Sequence, residues 1–301
     1  MNKVFNLALV GAALVSSYAG AYEWGDKFQA LPEAPDGFKW VLNPQFTDEF
    51  DTWDSNKWQA KHDWWDGSGK GRPGAYVEGD TAEDTPNVEI KNSKLFLYAK
   101  ANGPSEKKWV GTSVVASKER LSYGYYEVKM RASQLATTSS FWMQGKYSEI
   151  DVIEAIGRPQ GGHADSFSTK LHSNYHYFPN GFGKPGYAQG PSANKSGIPG
   201  GVADSWHTYG IWWKNNKEAY IYLDGKRVTD FSYWNADGKT WDKLSFPAEF
   251  NEPMVMFFDT EIWNWGNGSP GTPSKAELET TDGSNAMQVE WVRAYQLVPV
   301  E

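Results

Sequence analysis

Apolar and polar residues alternate with a period of two along many short segments of this chain. The alternation is visible in Val88–Ile90, Lys94–Ala99 and Tyr125–Arg131, and again in Tyr220–Leu223 and Met287–Tyr295. A two-residue period places apolar side chains on one face of a β-strand and polar side chains on the other. Glycine, asparagine, aspartate or proline separates most of these segments. The pattern therefore predicts many short antiparallel strands.

Turn and helix signals agree with this prediction. The segment Leu223–Val228 contains an Asp-Gly corner, which readily adopts the positive φ angles of a tight hairpin turn. Long amphipathic helical patterns are absent from the sequence, and only Ser274–Glu279 predicts a short helix. With no internal repeat and no linker, we predict one all-β domain over residues 22–301. That length favours a β-jelly-roll sandwich of two antiparallel sheets over a smaller immunoglobulin-type unit.

Two connections between predicted strands are longer than ordinary turns. Tyr177–Ser205 is rich in glycine and proline, and Asn264–Ala286 is similarly irregular. Loops of this length in a compact domain are typical of walls or lids around a functional site, and disorder is the alternative.

The N-terminus has the pattern of a secretory signal peptide. Lys3 provides the positive start, Val4–Val15 is largely apolar, and Ala19–Ala21 has the small-x-small pattern that signal peptidase recognises. We therefore predict a signal peptide over residues 1–21, cleavage near Ala21, and a secreted protein that is extracellular or periplasmic. No membrane association is expected after cleavage. A buried N-terminal helix is the alternative.

Composition narrows the class of ligand. The 301 residues carry a formal net charge of −8, which disfavours a nucleic-acid partner. Cysteine is absent, which excludes disulfides, thiolate metal sites and cysteine nucleophiles. Aromatic residues make up 16% of the chain and include 16 tryptophans, more than one core needs. Flat apolar rings with a polar edge suit a surface that binds sugar rings.

Three acids lie close together in one predicted strand. Ser148–Ala155 reads S-E-I-D-V-I-E-A and contains Glu149, Asp151 and Glu154. In a regular strand Glu149 and Asp151 share a face, whereas Glu154 points to the other side. One β-bulge between Asp151 and Glu154 would bring all three acids to one face. The alternative is a half-exposed strand whose polar face is acidic without a catalytic role.

Convergent carboxylates repel each other unless one of them is held neutral. Retaining glycosidases use such a set, with a carboxylate nucleophile and an acid/base of raised pKa.

The acidic strand resembles the bulged E-x-D-x-x-E signature of glycoside hydrolase family 16, a family of retaining enzymes with a β-jelly-roll fold. Other segments resemble further strands of the same family, namely Phe46–Phe50 (F-T-D-E-F), Trp206–Trp213 (W-H-T-Y-G-I-W-W), Tyr222–Gly225 (Y-L-D-G) and Val289–Tyr295 (V-E-W-V-R-A-Y). The resemblance covers nearly the whole chain after residue 21. It implies a concave cleft in which Glu149 is the nucleophile, Glu154 the general acid/base and Asp151 the carboxylate that orients the nucleophile.

Within the family the sequence is most similar to β-agarases. Segments that resemble agarase motifs are Trp64–Gly67 (W-W-D-G), Leu171–His176 (L-H-S-N-Y-H) and Asp259–Glu261 (D-T-E). This likeness implies hydrolysis of internal β-1,4 linkages in agarose by a monomer that requires no cofactor. It also implies substrate contacts from six residues, namely Trp64, Trp65, Trp142, Lys170, His172 and Glu261.

The sequence also departs from the agarase pattern. Lys170 stands where agarases usually have arginine, and Lys146 adds a cation just before the acidic strand. A cation in the cleft could bind a sulfate ester, so a β-porphyranase or κ-carrageenase acting on a sulfated galactan is the alternative. Lys146 could equally be a solvated surface residue.

Metal binding and a non-catalytic role are also compatible with the sequence. His172 and His176 share a strand face and could bind zinc, although no third ligand accompanies them at a familiar spacing. A lectin-like carbohydrate-binding module could use the same fold without catalysis. The resemblance implies a possible structural calcium ion between the first and last strands. Glu290 replaces the usual aspartate of that site, and Ser93 replaces an expected glycine.

Overall fold

The computed structural model describes residues 31–69, 71–186, 188–189, 192–232, 238–263 and 271–301. The predicted signal peptide and cleavage point near Ala21 lie outside these residues. Within the described ranges, no helix has the length and apolar character needed to cross a bilayer.

Strands dominate the described part of the chain. In order they are β1 (Phe38–Leu42), β2 (Trp58–Gln59), β3 (Gly74–Tyr76), β4 (Val88–Ile90), β5 (Leu95–Tyr98), β6 (Val110–Thr112), β7 (Val114–Ser117), β8 (Gly124–Arg131), β9 (Thr138–Gln144), β10 (Ser148–Ile156), β11 (His172–Tyr177), β12 (Ala188–Gln189), β13 (Ser192–Asn194), β14 (His207–Trp213), β15 (Glu218–Leu223), β16 (Lys226–Arg227), β17 (Phe231–Ser232), β18 (Leu244–Ser245), β19 (Val255–Asp259) and β20 (Ala286–Pro299). The helical elements are α1 (Lys275–Leu278) and the short 3-10 helices Pro44–Phe46, Ala82–Asp84 and Gly162–Ser168.

Two large antiparallel sheets form the body of the fold. The back sheet has the strand order β16-β15-β14-β8-β20-β5-β4, with β1 beside β20 and β18 beside β15. The cleft sheet has the order β17-β13-β11-β10-β9-β19-β7-β2, with β12 beside β11. Strands β3 and β6 form a small parallel pair. This architecture confirms the predicted β-jelly-roll sandwich.

The main hydrophobic core lies between the two sheets. Val128 and Met130 of the back sheet belong to the same buried cluster as Phe141, Met143 and Ile150 of the cleft sheet. The alternation seen in the sequence explains this arrangement, because every second side chain of each strand points inward. Burial of these apolar side chains is the main force that holds the sheets together.

Local predictions are also confirmed. The Asp224-Gly225 corner has φ angles of 49° and 71°, and it joins β15 to β16 with Leu223 opposite Lys226. The predicted short helix is α1, whose Ser274 side chain accepts a hydrogen bond from the backbone N–H of Glu277. The loop Tyr177–Ser205 contains the short strands β12 and β13, which pair with β11 and extend the cleft sheet.

Candidate active site

A β-bulge brings the three predicted acids to one face of β10. The pairing of β10 with β9 shifts register between Asp151 and Ile153. Val152 and Ile153 are consecutive residues, yet both are buried in the main core. This local irregularity turns Glu154 to the outer face, where Glu149 and Asp151 already point, and all three line one cavity. The bulge predicted from the sequence is confirmed.

The cavity lies on the outer face of the cleft sheet. Every second residue of β9 lines it, because successive side chains of a strand point to opposite faces and the other face of β9 packs in the core. The loop after β11 adds one aromatic wall residue, and the end of β19 adds further acids. The lining residues are Trp65, Arg72, Thr138, Ser140, Trp142, Gln144, Glu149, Asp151, Glu154, His176, Phe182, Asp259, Glu261 and Trp263.

His176 forms an ion pair with two of the acids. Its Nε2 atom lies 3.4 Å from Oε1 of Glu149 and 3.2 Å from Oδ2 of Asp151. Burial alone would lower the pKa of His176, but the charges of Glu149 and Asp151 outweigh burial and raise it to about 9. The imidazole is therefore protonated at neutral pH, and its charge partly neutralises the carboxylates.

Glu149 and Glu154 differ in what stabilises their charged forms. Burial raises the pKa of Glu149 to about 8, and this effect is opposed by the His176 charge and by a hydrogen bond from Gln144. Burial also raises the pKa of Glu154 well above its usual range, and the charge of Asp151 adds to the effect. The His176 charge favours the ionised form of both groups, but Glu149 also has the direct contact with His176 and the hydrogen bond from Gln144, so we expect Glu149 to lose its proton first. This asymmetry suits one ionised and one protonated carboxyl group.

A second group of buried acids lies at the end of β19. Asp259 accepts hydrogen bonds from the Tyr76 hydroxyl at 2.7 Å and from the Trp142 indole N–H at 3.0 Å. The same hydroxyl oxygen lies 3.1 Å from Oε1 of Glu261, and Glu261 accepts a hydrogen bond from Arg72 at 2.8 Å. Burial and the neighbouring Asp259 charge raise the pKa of Glu261 well above its usual range. The network fixes Arg72 and Glu261 at the cavity wall.

The three predicted tryptophans occupy different environments. Trp65 and Trp142 line the cavity, and one face of Trp142 stacks on Phe257 with ring centres 4.6 Å apart. Trp64 is not among the lining residues and remains 37% exposed. Its indole N–H donates a hydrogen bond to Oε1 of Gln144 at 2.9 Å.

The structure does not place His172, Lys170 or Lys146 among the residues that line this cavity. The His172 ring stacks on Phe167 with centres 3.6 Å apart, and its Nε2 atom is 3.0 Å from the Ser166 hydroxyl. Lys146 carries its ammonium group 4.9 Å from the Tyr147 ring centre. Contacts of these three residues with substrate stay predictions.

The predicted zinc pair does not come together as one site. His172 is engaged by Phe167 and Ser166, whereas His176 lies with Glu149 and Asp151 in a group whose ligand atoms are within 4.8 Å of one another. An imidazolium paired with two carboxylates accounts for that spacing, and we interpret the group as an ion pair.

Glu290, which the sequence places at the expected calcium site, is paired with a lysine. Its carboxylate lies 2.5 Å from the Lys129 ammonium group, which neutralises it. Ser93 has a φ of 50°, in the left-handed region where glycine is common. A structural calcium ion stays a prediction.

Sequence reasoning missed several residues of the cavity wall, and three of them, His176, Gln144 and Arg72, bear directly on the chemistry. His176 stood out in the sequence only as a zinc ligand, although its offsets of two residues from Asn174 and four from His172 place it on the outer face of β11. Gln144 ends the alternating outer row of β9, which is a usable signal. Arg72 lies in an irregular segment between β2 and β3, where no periodicity indicates which side chains face the cavity.

Comparisons with known proteins agree on one family. The domain model of β-porphyranases A–D of glycoside hydrolase family 16 matches residues 40–297. β-Porphyranase E of Zobellia galactanivorans is 32% identical over 279 residues, which cover 89% of this chain and 91% of that protein. β-Porphyranase B of Phocaeicola plebeius is 30% identical over 308 residues, and the match covers 90% of this chain and 89% of that protein.

Solved structures show the same fold. The crystal structure of the β-porphyranase BpGH16B from the gut bacterium Bacteroides plebeius has a TM-score of 0.71 and 27% identity, and the match covers 90% of this chain and 96% of that chain. β-Agarases are also among the relatives, at 24 to 28% identity.

Proposed function

The chain belongs to glycoside hydrolase family 16, and from this premise we propose that it is an endo-acting, retaining hydrolase of β-1,4 linkages in agar-type galactans. The observation that carries the proposal is the convergence of Glu149, Asp151 and Glu154 on one face of β10, inside a cavity with aromatic walls. A lectin-like module would gain nothing from three convergent acids around a sugar. We propose that the protein acts after export, as the N-terminal pattern predicts.

The acids divide the chemistry between them. Glu154 holds a proton and donates it to the glycosidic oxygen as that bond breaks, while ionised Glu149 attacks the anomeric carbon. The product is a glycosyl ester on Glu149. Glu154, now ionised, takes a proton from water, and the resulting attack on the anomeric carbon releases the sugar and restores both groups. Asp151 and His176 hold Glu149 in place through the ion pair described above.

We propose a sulfated galactan of the porphyran type as the preferred substrate. Arg72 is the one lysine or arginine among the described residues that line the cavity. The Glu261 carboxylate holds one of its N–H groups, and a guanidinium has several more with which to bind a sulfate ester. The family match and the relatives that are 30% or more identical are β-porphyranases, which supports this choice.

Agarose is the second candidate substrate. Relatives named β-agarases match over most of this chain, including one from Phocaeicola plebeius that is 26% identical over 305 residues. Glu261 also occupies one N–H group of Arg72, which leaves fewer donors for a sulfate ester.

The test is release of reducing ends from porphyran, agarose, κ-carrageenan and mixed-linkage glucan under one condition. We expect porphyran to be cleaved fastest, and we expect Arg72→Met to lower the porphyran-to-agarose rate ratio by about 10-fold, the size of one charge-assisted hydrogen bond. Arg158→Met is the matched control, because Arg158 pairs with Asp204 at an exposed site outside the cavity lining.

Each outcome has a clear meaning. Faster cleavage of agarose by the parent enzyme would favour the agarase assignment and overturn the porphyran preference. No release from any galactan would contradict hydrolysis and favour a binding module.

A further inference from the structure

Gln144 connects the nucleophile to Trp64, an aromatic residue outside the cavity lining. Gln144 ends β9 directly opposite Glu149 of β10, and only 1% of its surface is exposed. Its Nε2 atom donates a hydrogen bond to Oε2 of Glu149. Its Oε1 atom accepts the indole N–H of Trp64 at 2.9 Å. The Gln144 amide therefore makes one hydrogen bond through its nitrogen and another through its oxygen.

The chemistry of the indole decides which way the amide faces. An indole N–H can donate a hydrogen bond but cannot accept one. The Gln144 oxygen must therefore face Trp64, and the amino group must face Glu149. An amino group stabilises an ionised carboxylate, whereas a flipped amide would present an oxygen that bonds only the protonated form.

Packing holds Trp64 in the position that this contact requires. The indole makes an edge contact with the His62 ring at 4.4 Å between ring centres, and another with Phe257 at 5.7 Å. The Arg120 guanidinium lies 5.8 Å from the Trp64 ring centre. These contacts fix the indole while part of the ring, 37% of the residue, remains exposed.

We propose that Trp64 and Gln144 form a relay of two hydrogen bonds that keeps Glu149 ionised and oriented for attack. Trp64 is then a positioning residue, in addition to any stacking on sugar. Gln144 is a positioning residue for the same nucleophile. The inference rests on the proposed function, because it assigns Glu149 the role of nucleophile.

Trp64→Phe is the first test, because it removes the N–H group and keeps an aromatic face. We expect kcat to fall about 3- to 10-fold with little change in KM, as for one hydrogen bond that acts through a second residue. The acidic limb of the kcat/KM profile should move to higher pH, because Glu149 would hold its proton more tightly. Trp212→Phe, on the back sheet, is the matched control and should leave both unchanged.

Gln144→Met is the second test, since methionine has a similar length and no amide. We expect kcat/KM to fall about 10- to 100-fold, because the bond that is lost reaches a charged group. The acidic limb should move further than it does in Trp64→Phe. In the double variant Trp64→Phe/Gln144→Met, the loss should equal that of Gln144→Met alone, because Trp64 acts through Gln144.

An unshifted acidic limb in Trp64→Phe would overturn the relay, and so would losses that multiply in the double variant. If Gln144→Met does not fold, the Trp64→Phe profile decides alone, because Trp64 is partly exposed. Glu149→Gln separates the two proposals. An active Glu149→Gln enzyme contradicts the proposed function itself, whereas an inactive one beside a normal Trp64→Phe enzyme overturns only the relay.

Discussion

The outer faces of the two sheets both carry a glutamate with a raised pKa, yet only one of these faces has the features of an active site. On the back sheet, Glu127 is 4% exposed, and burial raises its pKa to about 7 against the hydrogen bond from Tyr125 and the charge of Arg293. On the cleft sheet, burial raises the pKa of both Glu149 and Glu154. A raised pKa alone therefore does not identify a catalytic acid.

The neighbours of each acid make the difference. The Tyr125 hydroxyl lies 3.1 Å from Glu127 within a cluster of buried tyrosines, and the nearby Arg293 is bonded to Glu49 at 2.9 Å. Glu127 is a single carboxyl group among structural partners. On β10 the bulge brings three acids together at a cavity wall. Convergence and access to a ligand, rather than burial, indicate catalysis.

The largest expected effect tests this difference directly. Glu149→Gln and Glu154→Gln should each lower turnover on the preferred galactan by about 1,000-fold or more, because each removes a group that forms or breaks a bond to the sugar. Glu127→Gln should leave turnover within about threefold of the parent. Turnover is measured as reducing-end release, with polysaccharide binding as a check that the variants are folded. Near-normal turnover in Glu149→Gln would contradict the distinction between a catalytic Glu149 and a structural Glu127.

The cation beside the cleft acids provides the next test. His176→Gln should lower kcat/KM by about 10- to 100-fold, because it removes a positive charge that favours ionised Glu149. Loss of that charge raises the pKa of Glu149, so the acidic limb of the pH profile should move to higher pH. The profile is measured from pH 4 to about 10, so that it spans the pKa of His176, about 9. An acidic limb that stays in place would contradict the ion pair.

Much of this site could be predicted from the sequence because strand periodicity is a strong local signal. The alternation in β10 placed Glu149 and Asp151 on one face. A bulge was predicted because Glu154 could join them on that face only if the strand were irregular, and the structure shows this bulge. His172 shows the limit of this reasoning. It lies on the expected outer face of β11, but the Phe167 ring stacks on it. Phe167 belongs to a 3-10 helix, and strand periodicity does not predict how that helix packs.

The residues that connect distant segments were harder to predict. Arg72 and Glu261 are 189 positions apart in the sequence and meet only because β3 and β19 lie near the same cavity. The hydrogen bond between Trp64 and Gln144 spans 80 positions. Such contacts depend on tertiary packing, so the sequence indicated the types of residue but not their partners.

A smaller effect concerns stability rather than activity. The pKa of Glu127 is about 7 in the folded protein, against 4.5 as the ordinary value. Between these values the unfolded chain loses a proton that the folded chain keeps, so this group lowers stability as pH rises from about 4.5 to 7. We expect Glu127→Gln to remove up to about 3 kcal/mol of this pH dependence. Urea unfolding at pH 4.5 and pH 8 measures the change in unfolding free energy with pH. An equal change in parent and variant would contradict the burial argument.

The smallest expected effect belongs to a cation that lies beside the cleft but outside its wall. Lys146 precedes β10, and its side chain extends over the Tyr147 ring. The backbone carbonyl of Lys146 accepts the Phe182 N–H at 2.8 Å, and this contact does not need the side chain. Lys146→Ala should therefore change kcat/KM on porphyran by less than about twofold, within the range of an exposed charge. A selective loss on porphyran, with agarose unchanged, would instead place the Lys146 ammonium group in contact with sulfate and extend the binding surface beyond the cavity that Arg72 lines.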